Sequence, residues 1–246
     1  MDDNGFFDDQ IAAHYDNDVA DQSKHLDATI GLLTSLAGPG PVLEFAIGTG
    51  RLALPLADRG IEVQGIELSR PMIAQLRAKP GGETMEVAIG DMTTTRMDRS
   101  YTLVFLAFNT ICNLTTQDAQ IACFENAAQH LSPGGSFLIE APVPPLQRLP
   151  RGEKRLAFAQ SETHWGIDEI DVATQSFTSH HLWNRSGRVE RVSIPFRYVW
   201  PSELDLMARL SGLELHARWE TWTRAPFTAQ SETHISVWRK PKGNDR

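Results

Sequence analysis

Glu44, Ala46, Gly48 and Gly50 stand at alternate positions in the run Glu-Phe-Ala-Ile-Gly-Thr-Gly. Apolar residues precede this run and a helical pattern follows it. Glycines there let backbone N–H groups approach a ligand, and the start of a helix presents further unpaired N–H groups. A tight strand-to-helix turn without a ligand would leave the same trace. Glu67 lies 17 residues after Gly50, at the end of the next apolar run. A carboxylate there can accept hydrogen bonds from both hydroxyls of a ribose. Asp91 and Met92 follow a third apolar run. Asp91 can accept from an exocyclic amine while Met92 packs on an aromatic base; a plain Asp-capped turn is the competing reading. The glycine spacing differs from GxGxxG, since positions 46 and 53 are both alanine. That argues against an NAD(P)-dependent oxidoreductase.

These residues need strands that end where the chemistry is. Residues 42–46, 62–67, 85–89, 101–107 and 136–140 read as five strands. Residues 51–58, 71–79 and 117–131 read as the helices between them, the second with Pro71 in its first turn. A further amphipathic helix is expected over residues 26–36. Strand–helix alternation of this kind implies parallel strands joined by right-handed crossovers. The pattern then changes. Residues 146–155 read as a linker, and 169–182 and 188–197 as a hairpin around Asn184-Arg185-Ser186-Gly187. A helix over 201–210 and strands over 213–221 and 233–239 close the chain. The expected fold is α/β: a Rossmann-like, mostly parallel seven-stranded sheet with helices on both faces, plus an antiparallel β insertion after strand five. Four parts follow: a helical cap (1–40), a cofactor-binding core (41–143), a β-rich insertion covering an acceptor (144–200), and a final helix with closing hairpin (201–240).

With 246 residues, 41% hydrophobic and 22% charged, the chain has the balance of a folded domain that needs neither disulfides nor metal. Cys112 and Cys123 are 11 residues apart without CxxC spacing, so two buried thiols are expected and no metal site. The acidic start lacks the basic region of a secretory signal, and no apolar run could span a bilayer. A cytoplasmic protein is the expectation. A net charge of −8 disfavours phosphate backbones as partners, and so nucleic acid.

The motifs at 42–50, at 65–72 (Gly-Ile-Glu-Leu-Ser-Arg-Pro-Met), at 90–92 and at 131–135 (Leu-Ser-Pro-Gly-Gly) fall in the order and spacing of the class I S-adenosylmethionine-dependent methyltransferases. The chain resembles that family, well from about 9 to 142 and again after 201, and it is similar to the small-molecule N- and O-methyltransferase branches. The resemblance implies S-adenosylmethionine as cofactor and S-adenosylhomocysteine as product. Glu44, Ala46, Gly48 and Gly50 would hold its amino-acid end, with Arg51 a candidate partner for its carboxylate unless it is a solvent-facing helix arginine. Glu67 would bind the ribose, and Leu68, Met72, Asp91 and Met92 the adenine. Phe108 and Asn109 would line the methionine side, and Tyr15, on an N-terminal helix, would cover the site. Two positions depart from the family. Ala46 replaces a usual glycine, which a negative φ would allow. Thr102 stands where many members carry Asp.

Methyl transfer from a sulfonium needs alignment and exclusion of water, and a base only when the acceptor arrives protonated. His164, His180, His181, His234, Glu140 and Glu162 are the candidates. Phe158, Trp165, Phe177, Trp183, Phe196, Trp200, Trp219 and Trp222 are expected to pack the second sheet or wall an apolar acceptor pocket. The expected partner is a small-molecule methyl acceptor; a homodimer stays open. A catalytically silent cofactor-binding regulatory protein is the reading from another class.

Overall fold

The computed structural model describes residues 7–19, 25–185 and 187–243. The acidic first six residues and Ser186 of the expected hairpin turn lie outside them. Strands β1 (Val42–Phe45), β2 (Val63–Glu67), β3 (Glu86–Ile89), β4 (Tyr101–Leu106), β5 (Leu131–Pro142), β10 (Glu214–Trp219) and β11 (Thr233–Arg239) form one sheet in the order β10-β11-β5-β4-β1-β2-β3. β1 to β5 are mutually parallel; β11 pairs antiparallel with β5 and β10 antiparallel with β11, so β11 alone runs against the rest of the sheet. The switch in strand order between β1 and β4 opens a crevice at the carboxyl ends of the strands, where ligands bind in open α/β sheets.

Alternation along each strand makes two cores. Val104 and Leu106 of β4 and Phe137 and Ile139 of β5 join α5 (Gln117–His130) and α6 (Pro201–Leu210) on one face. Leu103, Phe105 and Leu138, one residue out of phase, join α2 (Leu26–Ala37), α3 (Ala53–Asp58) and Leu76 of α4 (Arg70–Arg77) on the other. A sheet buried on both faces needs near-continuous apolar runs, as these strands have. Helix starts follow their side chains. Ser69 accepts from Met72 N ahead of Pro71, and Thr116 from Ala119 N, satisfying otherwise unpaired donors. Both cysteines are buried and free.

The insertion is a second, antiparallel sheet: β6 (Arg155–Gln160), β7 (His164–Asp171), β8 (Ser176–Arg185) and β9 (Arg188–Arg197), in sequential order. One expectation needs correction here. Residues 169–182 are not a single strand. The Asp171 carboxylate accepts from Ala173 N at 2.9 Å and Gln175 takes φ 55°, so the chain reverses between β7 and β8 through an Asp-anchored turn. The sheet is pinned at both ends. Arg197 donates to Gln120 Oε1 at 2.5 Å and pairs with Glu203 at 2.7 Å. Arg185 pairs with Asp18 at 2.7 Å, at the end of helix α1 (Asp9–Asp18).

Candidate active site

One cavity at the carboxyl end of β1 gathers Tyr15, Glu44, Ala46, Gly48, Arg51 and Phe108, six of the residues singled out from the sequence. Ile47, Thr49, Leu52, Ala107 and Thr110 also line it. These were missed because they are small or apolar residues, without a chemical signature of their own, between the marked ones.

Glu67 closes the loop from below. Its Oε2 accepts Gly48 N and its Oε1 accepts Ser69 N, each at 2.8 Å. Burial raises its pKa, and these backbone donors oppose the rise without cancelling it. The side chain is thus a staple between two strand-to-helix turns, and further lone pairs on the same oxygens remain for a ligand. Ala46 and Gly48 both sit at left-handed φ, 51° and 57°. The expected negative φ at Ala46 is therefore wrong. The loop keeps the glycine geometry because β1 pairing before it and the Ile47 N–Ile66 O bond after it (3.1 Å) leave no other path. The methyl group is strained by roughly 1 kcal/mol. Gly50 is favoured for another reason than ligand approach: it sits at left-handed φ, 78°, and a Cβ on it would also press within 2.3 Å of Leu76 Cδ1.

Glu44 is buried and its Oε2 has no hydrogen-bond partner. Burial holds its carboxyl well above the usual carboxylate range, the nearby Arg51 charge opposing this. Arg51 lies in the turn before α3, not in the helix. Its guanidinium is 5.4 Å from the Phe108 ring centroid, with no carboxylate of the described residues in ion-pair distance. Burial pushes the Tyr15 hydroxyl up to about 12, so it stays a neutral donor. An unpartnered buried acceptor beside an unpaired cation is matched to a ligand carrying both an ammonium and a carboxylate.

Phe108 and Asn109 are consecutive left-handed residues, φ 57° and 60°, a strained arrangement that needs outside support. Glu140 at the end of β5 supplies it. Its Oε2 accepts Phe108 N at 2.7 Å, its main-chain oxygen accepts Asn109 N at 3.2 Å, and its Oε1 accepts Trp222 Nε1 at 2.9 Å. With both oxygens accepting from the protein's own donors, Glu140 is a clamp on this turn. Helix α1 is fastened over the loop. Thr49 Oγ1 donates to Asp16 at 2.6 Å, and Lys79 reaches both Asp16 (2.6 Å) and Thr49 O (2.8 Å).

The residues expected around the adenine are less gathered. Met72 lies beneath Gly48, with its Cε 3.3 Å from where a Cβ would sit. Leu68 is exposed just past the end of β2, and Ile89 of β3, paired with Glu67 in the strand register and 48% exposed, was missed as a candidate. Asp91 accepts Thr93 N at 2.7 Å and Thr93 Oγ1 at 2.8 Å, the capped-turn reading. Met92 is buried in the core with α5 and, like Asn109, does not line the cavity. Among the other bases, His180 bonds Ser193 at 2.8 Å on the outer face, His234 is fully buried, and Glu162 is exposed. His164 and His181 remain. The aromatic residues divide: Trp219 and Trp222 pack on the core with α2, Phe196 on the other core, and Phe158 and Trp183 flank the histidine pair. No helix among the described residues is long and apolar enough to cross a membrane.

Residues 42–135 match a family described as a methyltransferase domain. The fold superposes on the CcbJ methyltransferase from Streptomyces caelestis with a TM-score of 0.85 and 35% identity, covering 98% of this chain and 100% of that one. The chain is 26% identical over 204 residues to the cypemycin N-terminal methyltransferase of Streptomyces sp, 80% of this chain and 81% of the relative. It is 29% identical over 162 residues to the dTDP-3-amino-3,4,6-trideoxy-alpha-D-glucopyranose N,N-dimethyltransferase of Streptomyces venezuelae, 66% of this chain and 62% of the relative.

Proposed function

The chain belongs to the class I S-adenosylmethionine-dependent methyltransferases, and from that premise we propose that it methylates the amine nitrogen of a small molecule. The observation that carries the cofactor half is the unpartnered buried Oε2 of Glu44 beside the unpaired Arg51. In this reading Glu44 faces the ammonium of the cofactor's amino-acid end and Arg51 its carboxylate. Gly48 and Ala46 shape the loop around it, and Tyr15 and Phe108 close it from above. Glu67 takes the ribose, and the open shelf of Leu68 and Ile89 takes the adenine. The bound cofactor supplies a methyl group on a sulfonium. The chain's own part is to orient the acceptor, exclude water beneath α1 and hold the acceptor's proton.

The acceptor half rests on the names of the relatives, two of which act on nitrogen, and on the second sheet. That sheet is pinned to α1 by Arg185 and Asp18, and one of its faces sets the apolar Phe158, Trp183, Val192 and Ile194 around the polar His164, His181, Ser179 and Asp168, a mixed wall suited to a small polar molecule. Calorimetry tests the cofactor: S-adenosylhomocysteine should bind in the micromolar range, on the order of −8 kcal/mol, and NAD should not. Mass spectrometry of amine acceptors incubated with enzyme and S-adenosylmethionine tests turnover. Tight NAD binding with no response to either adenosyl ligand overturns the reading. Cofactor binding without transfer to any amine would leave the silent-member reading standing.

A further inference from the structure

His164 and His181 meet across β7 and β8. His164 Nε2 lies 3.0 Å from His181 Nδ1, and the two ring planes differ by 3°. His181 Nε2 lies 3.2 Å from Ser179 Oγ, and Asp168 stands opposite Ser179 in the strand register. The Ser179 hydroxyl lowers the Asp168 carboxyl pKa, against the larger effect of burial, and Asp168 Oδ1 is buried without a partner. We assign the protons of the row in one direction, toward Asp168. His164 Nε2–H donates to His181 Nδ1, His181 Nε2–H donates to Ser179 Oγ, and the Ser179 hydroxyl points to Asp168. The lone pair left over is on His164 Nδ1, at the more open end of the row.

The surroundings hold this row in place. His164 stacks on Trp183 at 3.7 Å, and Phe158 lies 5.2 Å from His181. Gly166, between them, is glycine because a Cβ would sit 2.2 Å from the Phe158 ring. The Arg185 guanidinium caps Trp183 at 5.0 Å and reaches Asp18. Asp18 is one helical turn beyond Tyr15, so the row opens toward the side of α1 that covers the cofactor cavity.

We propose that His164, backed by His181, Ser179 and Asp168, takes the proton of an ammonium acceptor before methyl transfer. This rests on the amine-acceptor reading above. In the step, an acceptor N–H bond breaks and its electron pair stays on nitrogen as the lone pair that attacks. A new N–H bond forms at His164 Nδ1, so an ammonium and an imidazole become an amine and an imidazolium. The imidazolium returns its proton to solvent after turnover. His164 is the catalytic residue, and the other three are positioning residues. Both imidazoles are neutral near pH 7, with His181 pushed down to about 4 by burial and by His164, and His164 lowered by burial. The charges facing them are Asp18 from α1, Arg185 from β8, Asp168 from β7, and Glu190 of β9 behind Arg185, with His180 next along β8 on the opposite face.

Two measurements on the full chain test this. First, NMR of 15N-histidine-labelled protein, with no acceptor present, follows both imidazoles against pH. His181→Asn should move the His164 titration by half a pH unit or more; unchanged titration of His164 overturns the proposal. Second, kcat/KM of His164→Gln is compared with wild type against pH, on an amine acceptor found as above. The expected loss is on the order of 10²-fold at pH 7, closing as pH rises past the acceptor's own pKa, where the base is no longer needed. A loss equal at all pH values marks a structural role and overturns the proposal, as does no loss. Absence of transfer to any amine in the wild-type protein would instead count against the amine reading.

Discussion

Glu140 Oε2 accepts the main-chain N–H of Phe108 at 2.7 Å, tying the end of β5 to the left-handed turn after β4. The same carboxylate accepts Trp222 Nε1. Glu140→Ala leaves two donors unpaired and takes the side-chain support from the strained Phe108, while the main-chain oxygen still holds Asn109. The expected cost is about 3 kcal/mol of stability, by the range for bonds to charged groups, together with weaker S-adenosylhomocysteine binding. Denaturant unfolding and calorimetry check both; wild-type stability would show that the clamp carries little.

Glu67→Ala should weaken product binding by roughly 2–4 kcal/mol, if its oxygens also accept from the ribose. It should also lower the stability of the ligand-free protein by about 1–3 kcal/mol, because Gly48 N and Ser69 N lose their acceptor. A change in unfolding with no change in calorimetric affinity would confine Glu67 to the loop.

Ala46→Gly relieves a methyl group held at φ 51°. The relief of roughly 1 kcal/mol is partly offset by the freer unfolded chain. A gain of about 0.5 kcal/mol is expected in thermal unfolding. A loss above about 1 kcal/mol would mean that the alanine methyl makes a favourable contact outweighing the strain.

Lys79→Ala removes one of the ties that hold α1 over Thr49. A partly exposed pair of this kind contributes about 1 kcal/mol, so S-adenosylhomocysteine should dissociate about fivefold faster in stopped-flow displacement. An unchanged rate would show that α1 does not gate release.

His234 is fully buried, and burial, with the Arg218 charge, pushes it down to about 3 from an ordinary 6.5. The unfolded chain binds this proton below about pH 6.5 and the folded chain does not. Its contribution is therefore present above that pH and lost as pH falls toward 3, reaching about 2 kcal/mol by pH 5. Glu44, raised by burial, works in the opposite direction. The informative quantity is the difference: between pH 7 and 5, His234→Gln should lose less stability than wild type. Parallel unfolding curves would contradict this.

The sequence by itself determined the parallel core, because its signals are local. Uninterrupted apolar runs must become buried strands, Ser69 and Pro71 start a helix wherever they stand, and the glycines at 48 and 50 mark a left-handed turn. Glu44 and Gly48 were legible for the same reason, at the end of one apolar run, while Arg51, Phe108 and Tyr15 were named through the family resemblance; all five line one cavity. Tertiary structure decided what depends on partners far along the chain. Gly50 answers to Leu76, Ala46 is forced to positive φ by pairing on both sides, and Glu140 is a clamp because β4 ends beside it. The row from His164 to Asp168 is the clearest case. Its members alternate on two strands and meet only in one register, which the turn at 172–175 sets; a shift by one residue would send every one of those side chains to the opposite face.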